Sequence, residues 1–435
     1  MSNYSDKCVM VISHGLFAHV AERLTRDFGR VLLYIPWNSN SFPTSNVGEL
    51  GYGVPGVERV DSIFGKHFED VDLFVFADIY FSAEQVYLES IGKRVWGSRN
   101  GEELEIYRET CKEVMADLGL PLNPWKKVKG VKALREYLKA NPCQYVKFDK
   151  WRGNFETFRS ESYDLSEVKI DEIAHNMGAF QHVAEFICED ELPDCVEIGT
   201  DLFTIDGQLP SQTLLGIEVK DLGYVGEFKQ WASIPEPVRR WNEAMSPIFA
   251  KYGYRGWLSN EIRITKDLEP YMIDATCRMP SPPGELCSEF YTNYADILWH
   301  GADGVLVDPE PAAKFGMEII IKSDWAKENW QPVQYDEKFA KQIKLFNPMI
   351  IEGKRYVVPQ DEDMAEIGAV VGFGDTLEAA QEHLMAAANS IEGFGIKVPK
   401  GTIDDAKEEM QKLADFGLPV FTLEKSSESE TNEKE

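Results

Sequence analysis

The chain has 435 residues, 43% of them hydrophobic, enough for two or three domains with cores of their own. A net charge of −28 argues against stable binding to duplex nucleic acid, whose phosphates it would repel, but leaves room for a small anion in a local basic pocket. There is no apolar run of about 18 residues to span a membrane, and no secretory leader is expected at the N-terminus. Seven scattered cysteines suit a reducing cytoplasm and suggest no zinc site.

In chain order, residues 8–14 (CVMVISH) read as a buried strand, followed by a helix over FAHVAERLTRDFG closed by Gly29. A second strand (RVLLYIPW), a polar loop over 38–56, a third strand (VDLFVFA), a helix (SAEQVYLESIG) and a fourth strand (KRVWGS) follow. Apolar strands alternating with helices predict a parallel sheet covered on both faces, here residues 1–100.

Next comes one amphipathic helix, EELEIYRETCKEVMADLG, on which Arg108 and Lys112 share a face. A further helix (VKALREYLKA) leads into the strand CQYVKF, then into mixed strands and polar turns up to about residue 245. Beyond 305, EIGAVVGFGD reads as a strand, and Asp375 and Glu378 are spaced as N-cap and N3 of the helix after it. Residues 424–435 are a charged polar tail.

The segment NEIRITKDLEPYMIDATCR (260–278) folds as a hairpin. Alternation puts Ile262, Ile264, Tyr271, Ile273 and Ala275 on an apolar face, with Ile262 opposite Ile273. Ser259, Glu261, Arg263, Met272, Asp274, Thr276 and Arg278 fall on the other face. Glu261 then stands opposite Asp274, and facing like charges destabilise a strand pair. A divalent cation between them removes that penalty, and magnesium commonly shares one or two carboxylates with nucleotide phosphates. The alternative is an exposed hairpin whose acids pair with Arg263 and Arg278.

This polar row resembles the metal-binding end of the ATP-grasp ligases. The resemblance to the phosphoribosylamine–glycine ligase family within that superfamily runs in order over about residues 8–395. It implies an α/β ATP-grasp fold: an N-terminal Rossmann-like (pre-ATP-grasp) domain over 1–100, the grasp over 101–305, and a small C-terminal α+β domain over 306–423. It implies ATP with Mg2+ (Mn2+ as an alternative), metal ligands Glu261, Asp274 and Thr276, and Arg278 at the acyl group. Lys147, Arg108 and Lys112 would face the phosphates beneath a loop around Gly153. The backbone of Glu185, Phe186 and Ile187 would meet the adenine, with Glu197, or else Glu189 or Glu191, on the ribose.

The activity implied is ATP-dependent joining of a small carboxylate to an amine through an acyl phosphate, in the cytoplasm. Two alternatives stand beside it: a nucleotide-binding protein without catalysis, and a true phosphoribosylamine–glycine ligase. Two departures bear on substrate: the first turn, ISHGLFAH, has one glycine, and MPSPPGE follows Arg278; the single glycine of the loop near Gly153 supports the non-catalytic alternative. Tyr224 and Trp231 read as packing residues, with stacking on a substrate ring as the alternative.

Overall fold

The computed structural model describes residues 4–36, 50–150, 157–359 and 365–422. Gly153, much of the 38–56 loop and the acidic tail lie outside them.

Strands β1 (Tyr4–Ile12), β2 (Phe28–Tyr34), β3 (Val57–Val60), β4 (Leu73–Phe76) and β5 (Arg94–Trp96) form a parallel sheet in the order β3-β2-β1-β4-β5. Helices α1 (Ala18–Leu24) and α2 (Ser82–Ser90) belong to this unit. Val9 to Ile12 have no exposed surface, as a strand covered on both faces requires. The first helix is shorter than its sequence suggests. Phe28 and Gly29 already belong to β2, where a Cβ on Gly29 would sit 2.0 Å from the carbonyl oxygen of Ser5.

The long helix expected over 102–119 is broken into α3 (Glu103–Ile106) and α4 (Arg108–Asp117), with Tyr107 extended between them (ψ 84°). The break turns Arg108 inward, where it is buried.

Strands β6 (Trp125–Lys129), β7 (Gln144–Phe148), β8 (Thr157–Ser160) and β9 (Glu185–Asp190) make a small antiparallel sheet in the order β6-β9-β7-β8. Helices α5 (Val131–Ala140) and α6 (Tyr163–Met177) pack on it through Leu134, Leu138, Ile170 and Ile173.

A second, larger antiparallel sheet begins with β10 (Cys195–Ile205), β11 (Gln212–Val219) and β12 (Gly223–Gln230), and continues after α7 (Glu236–Tyr252) with β13 (Arg255–Thr265) and β14 (Pro270–Thr276). Helices α8 (Gly284–Phe290) and α9 (Tyr294–Ala302) lead to β15 (Phe315–Ser323). Strands β16 (Gln331–Val333), β18 (Pro348–Ile351) and β19 (Lys354–Val357) pair among themselves. Strands β17 (Ile343–Leu345), β20 (Glu366–Gly374) and β21 (Ile396–Lys397) extend the large sheet, whose order is β14-β13-β10-β11-β12-β15-β20-β17 with β21 on β15. Helices α10 (Leu377–Ala388) and α11 (Thr402–Asp415) pack against it.

The N-cap of α10 is Thr376, one residue beyond Asp375: its hydroxyl accepts from the backbone N–H of Ala379 at 3.1 Å. No helix among the described residues is long and apolar enough to cross a membrane.

Candidate active site between the two antiparallel sheets

The β13–β14 hairpin pairs Glu261 with Asp274, as its alternation predicts. Towards the turn the register shifts by one residue, so that Ile262 faces Met272 and Arg263 faces Tyr271. The extra residue is Ile273, a β-bulge that reverses the faces beyond it. The apolar face is therefore corrected: Met272 is buried in the core with Ile262, Ile264 and Ala275, while Ile273 lines a cavity.

That cavity, about 600 Å³, lies between the small sheet and the large one. Glu261, Asp274, Thr276 and Arg278 line it from the hairpin, Lys147 and Glu189 from the small sheet, and Glu197 from β10.

On one wall each acid is paired with cations of the chain. The Lys147 ammonium donates to Asp274 Oδ2 at 2.8 Å and to the carbonyl of Ile273 at 2.9 Å, and lies 3.6 Å from Glu189 Oε1. Lys112 meets Glu189 Oε1 at 2.9 Å. Arg108 reaches Asp274 Oδ1 at 3.3 Å and also donates to the carbonyl of Phe148. Lys147 and Glu189 are both 2% exposed, so each depends on the other's charge. Burial pulls Lys147 down, but Asp274 and Glu189 outweigh it and hold the ammonium above its ordinary range. Burial likewise pushes Glu189 up, and Lys147 and Lys112 more than reverse it.

On the facing wall the balance tips the other way. Carboxylate oxygens of Glu197, Glu218 and Glu261 lie within 4.8 Å of one another. Arg263 holds Glu197 at 3.1 Å, and the largely exposed Lys220 stands 3.9 Å from Glu261. Loss of hydration pushes Glu261 up to about 7, with Glu197 and Asp274 adding to the shift and Lys220 opposing it. Glu218 is pushed up well beyond the carboxylate range, again by burial first, with Glu261 and Glu197 contributing. This donor set of hard oxygens with surplus negative charge fits a divalent cation.

Arg278 is fixed by its Nε on Glu105 Oε1 at 3.0 Å, and Glu105 also accepts from the Cys277 N–H at 2.6 Å. Tyr224 is buried, its hydroxyl donating to Asp201 Oδ2 at 2.7 Å. Ser259 holds the other oxygen of Asp201 at 2.7 Å, and burial still keeps that acid up at about 6.

One group of expected residues is placed differently. β9 is an inner strand: Phe186 pairs with Val128 on one side and Phe148 on the other, and Ile187 with Lys127 and Lys147. Sheet hydrogen bonds thus occupy the backbone of 185–187, and Phe186 and Ile187 are fully buried. The expectation that this backbone meets an adenine edge is corrected. The part of the connection that lines the cavity is Glu189, Asp190 and Leu192, at the exit from β9. Glu185 is turned to Lys150 and Lys127, at 2.9 and 3.2 Å.

Glu218 was not foreseen. Its signal is alternation: in Ile217–Glu218 and in Val196–Glu197–Ile198 each acid neighbours buried residues, which sends both acids to the face that carries Glu261.

No family model and no curated protein matches the sequence. Solved structures do match. Phosphoribosylamine–glycine ligase from Thermotoga maritima aligns with a TM-score of 0.68 at 15% identity, over 90% of this chain and 98% of that one. The biotin carboxylase domain of Hydrogenobacter thermophilus 2-oxoglutarate carboxylase, in complex with MgADP, ADP and bicarbonate, gives 0.64 at 14% over 96% and 99%. An L-amino acid ligase from Bacillus licheniformis gives 0.58 at 12% over 89% and 98%. Two antiparallel sheets closing on a charged cavity, behind a parallel N-terminal sheet, give this chain the ATP-grasp fold.

Proposed function

We propose that the protein is an ATP-dependent carboxylate–amine ligase. The observation that carries this reading is the opposition across one cavity: Lys147, with Arg108 and Lys112 behind it on the same two acids, on one wall, and three acids against two cations on the other. A nucleotide polyphosphate with a divalent cation matches that order of charges. The fold shared with the two ligases supports the same reading.

In the reaction, a substrate carboxylate oxygen attacks the γ-phosphorus, ADP leaves, and an acyl phosphate results. The amine nitrogen then bonds to the acyl carbon and the C–O bond to phosphate breaks, giving an amide, phosphate and a released proton. Lys147, Arg108 and Lys112 supply positive charge on the phosphate side. Glu261, Asp274 and Thr276, with Glu197 and Glu218 beside them, would hold magnesium, which screens the charge on the phosphates. Glu105 aims Arg278 at the acyl end, where a planar guanidinium suits carboxylate and acyl-phosphate oxygens. The chain's main contribution is position and fixed charge rather than a proton step.

The test is phosphate release from ATP across a panel of amino acids and amine-bearing nucleotides, run beside a Glu261→Gln/Asp274→Asn double variant. The parent should turn over with some pair, and the variant should fall at least about 100-fold. Equal turnover in the two would remove the mechanism. The grip of Lys147 and Arg108 on Asp274 favours a second reading, a nucleotide binder without turnover. ATP binding with no phosphate release against any pair would establish that reading instead.

A further inference from the structure

One charged group of the cavity takes no part in the reaction proposed above. Asp201, on β10, is buried and lines the cavity from the strand face that carries Glu197 and Gly199. Ser259 donates to its Oδ1 and Tyr224 to its Oδ2, each at 2.7 Å. Two glycines make this arrangement possible. A Cβ on Gly216 would stand 2.1 Å from Cζ of Tyr224, and one on Gly226 2.7 Å from its Cε1. With neither present, the Tyr224 ring lies against β11 and its hydroxyl reaches β10 beyond it.

Both donors are neutral. Among the described residues no lysine, arginine or histidine is paired with Asp201. Burial holds the carboxyl up at about 6 and the two hydroxyls oppose the shift, so at neutral pH it is ionised. A buried charge without a counter-charge is costly. Asp201 also stands outside the group of acids close enough to share a metal ion, Glu197, Glu218 and Glu261. The two hydroxyls take two of the carboxylate's roughly four acceptor directions, which leaves room for a donor arriving through the cavity. A substrate ammonium brings both the donors and the missing charge.

The position of Asp201 sets the length of that substrate. Asp201 pairs with Ser259 and Ser259 with Thr276, which puts Asp201 two strands, about 10 Å, from β14. Arg278 follows β14, the edge strand, and its Nε is tied to Glu105. In an α-amino acid the nitrogen and the carboxyl carbon are only about 2.5 Å apart. A carboxylate at Arg278 and an ammonium at Asp201 call for several bonds between them.

Resting on the ligase reading, we propose that Asp201, with Tyr224 and Ser259 behind it, binds a distal ammonium group of the acid that is activated, so that the acid is an ω-amino acid. The ammonium does not react. It fixes one end of the acid while the carboxylate at the other end attacks the γ-phosphorus. An acid whose far end is uncharged leaves Asp201 without a partner and is a poor substrate.

The experiment uses the full chain with ATP, Mg2+ and hydroxylamine, reading hydroxamate, so that the acid is the only variable substrate. β-Alanine, γ-aminobutyrate, δ-aminovalerate and ε-aminocaproate are each set beside the fatty acid in which a methyl group replaces the ammonium, with the proteinogenic α-amino acids as a further set. The parent should prefer at least one ω-amino acid to its fatty acid and to the α-series by at least about 10-fold in kcat/KM. In Asp201→Asn that kcat/KM should fall about 100-fold, mainly through KM, while the fatty acid is used as before and the preference disappears. Tyr224→Phe, which leaves the charge in place, should cost less. The parent's own comparison decides the matter even where a variant fails to fold. Equal use of the fatty acids, a preferred α-amino acid, or a preference kept in Asp201→Asn would overturn the proposal while the ligase reading stood. So would hydroxamate unchanged in Asp201→Asn beside a fall in amide with a true amine, since the ammonium would then belong to the amine. Hydroxamate from none of these acids would overturn the ligase reading itself, and this inference with it.

Discussion

The two walls of the cavity are built from similar side chains and differ in sign and setting. On the small-sheet wall, Lys147 and Glu189 are sealed from water, and Lys147, Lys112 and Arg108 are matched to Glu189 and Asp274. On the large-sheet wall Glu197, Glu218 and Glu261 crowd together, and one of their two cations, Lys220, is 69% exposed. In the first cluster every acid is paired within the chain, with one cation in surplus for an anionic ligand. The second opposes folding through like-charge repulsion, and is tolerable where a cation joins it. The difference separates acids that the chain already pairs from acids that await a cation.

The largest effect should come from breaking the paired wall. Lys147→Met leaves Glu189 and Asp274 short of a cation in a buried place, which should lower stability by about 3–5 kcal/mol in urea unfolding. Glu218→Gln on the other wall should leave stability unchanged or raise it. Equal losses in the two variants would show that both clusters are structural, and the comparison would fail.

Next in size is the ligand's own effect. Magnesium with a non-hydrolysable ATP analogue should raise the melting midpoint of the parent, since binding only to the native state stabilises it. In Glu218→Gln/Glu261→Gln the starting midpoint should be higher and the increment from magnesium should vanish. An increment that survives both changes would move the cation to Asp274 and Thr276, with Glu197 the acid left beside them.

How far the sequence foretold this division depends on the element. The parallel sheet was legible because buried strands such as VMVI alternate with helices, and the facing of Glu261 and Asp274 followed from strand period and turn. The bulge at Ile273 was not legible: one inserted residue changes the period locally without changing composition, and Met272 serves as well in a core as on a polar row. The break at Tyr107 was hidden because the apolar stripe Leu104–Cys111–Met115 continues across it. Glu218 was overlooked because its partners Glu197 and Glu261 come from strands 21 and 43 positions away along the chain (218 − 197 and 261 − 218). Only the sheet order β13-β10-β11 brings the three together. The exit of β9 was misplaced by a few residues because a strand buried on both sides gives no sign of where its pairing ends.

pH should sharpen the contrast further. In the folded chain Glu261 is raised from 4.5 to about 7, so between those values the native state holds a proton that the unfolded chain has released. Stability from this group is complete below about pH 4.5 and is lost as pH rises towards 7. The ligand-free parent should lose more of its melting midpoint between pH 5 and pH 8 than Glu261→Gln does, roughly in those limits. Magnesium must displace that proton, so its affinity should rise over the same interval. Parallel pH curves for parent and variant would show that Glu261 is already ionised at pH 5.

The smallest effect, and the most discriminating, is expected at Lys220. Its ammonium is 3.9 Å from Glu261, yet its side chain is 69% exposed, so water and salt screen the pair. Lys220→Met should change stability by no more than about 1 kcal/mol. Its influence on Glu261 should be visible all the same, because Lys220 is the cation that opposes the upward push on that acid. The pH at which Glu261 titrates, followed by carboxyl NMR, should therefore move up in Lys220→Met, while magnesium should bind at least as tightly at neutral pH, because a divalent ion gains more than a proton from the loss of a neighbouring positive charge. An absent shift would mean that Lys220 is turned to solvent and the acids repel one another unaided. In that case the large-sheet wall would be still further from balance, and its dependence on an added cation greater.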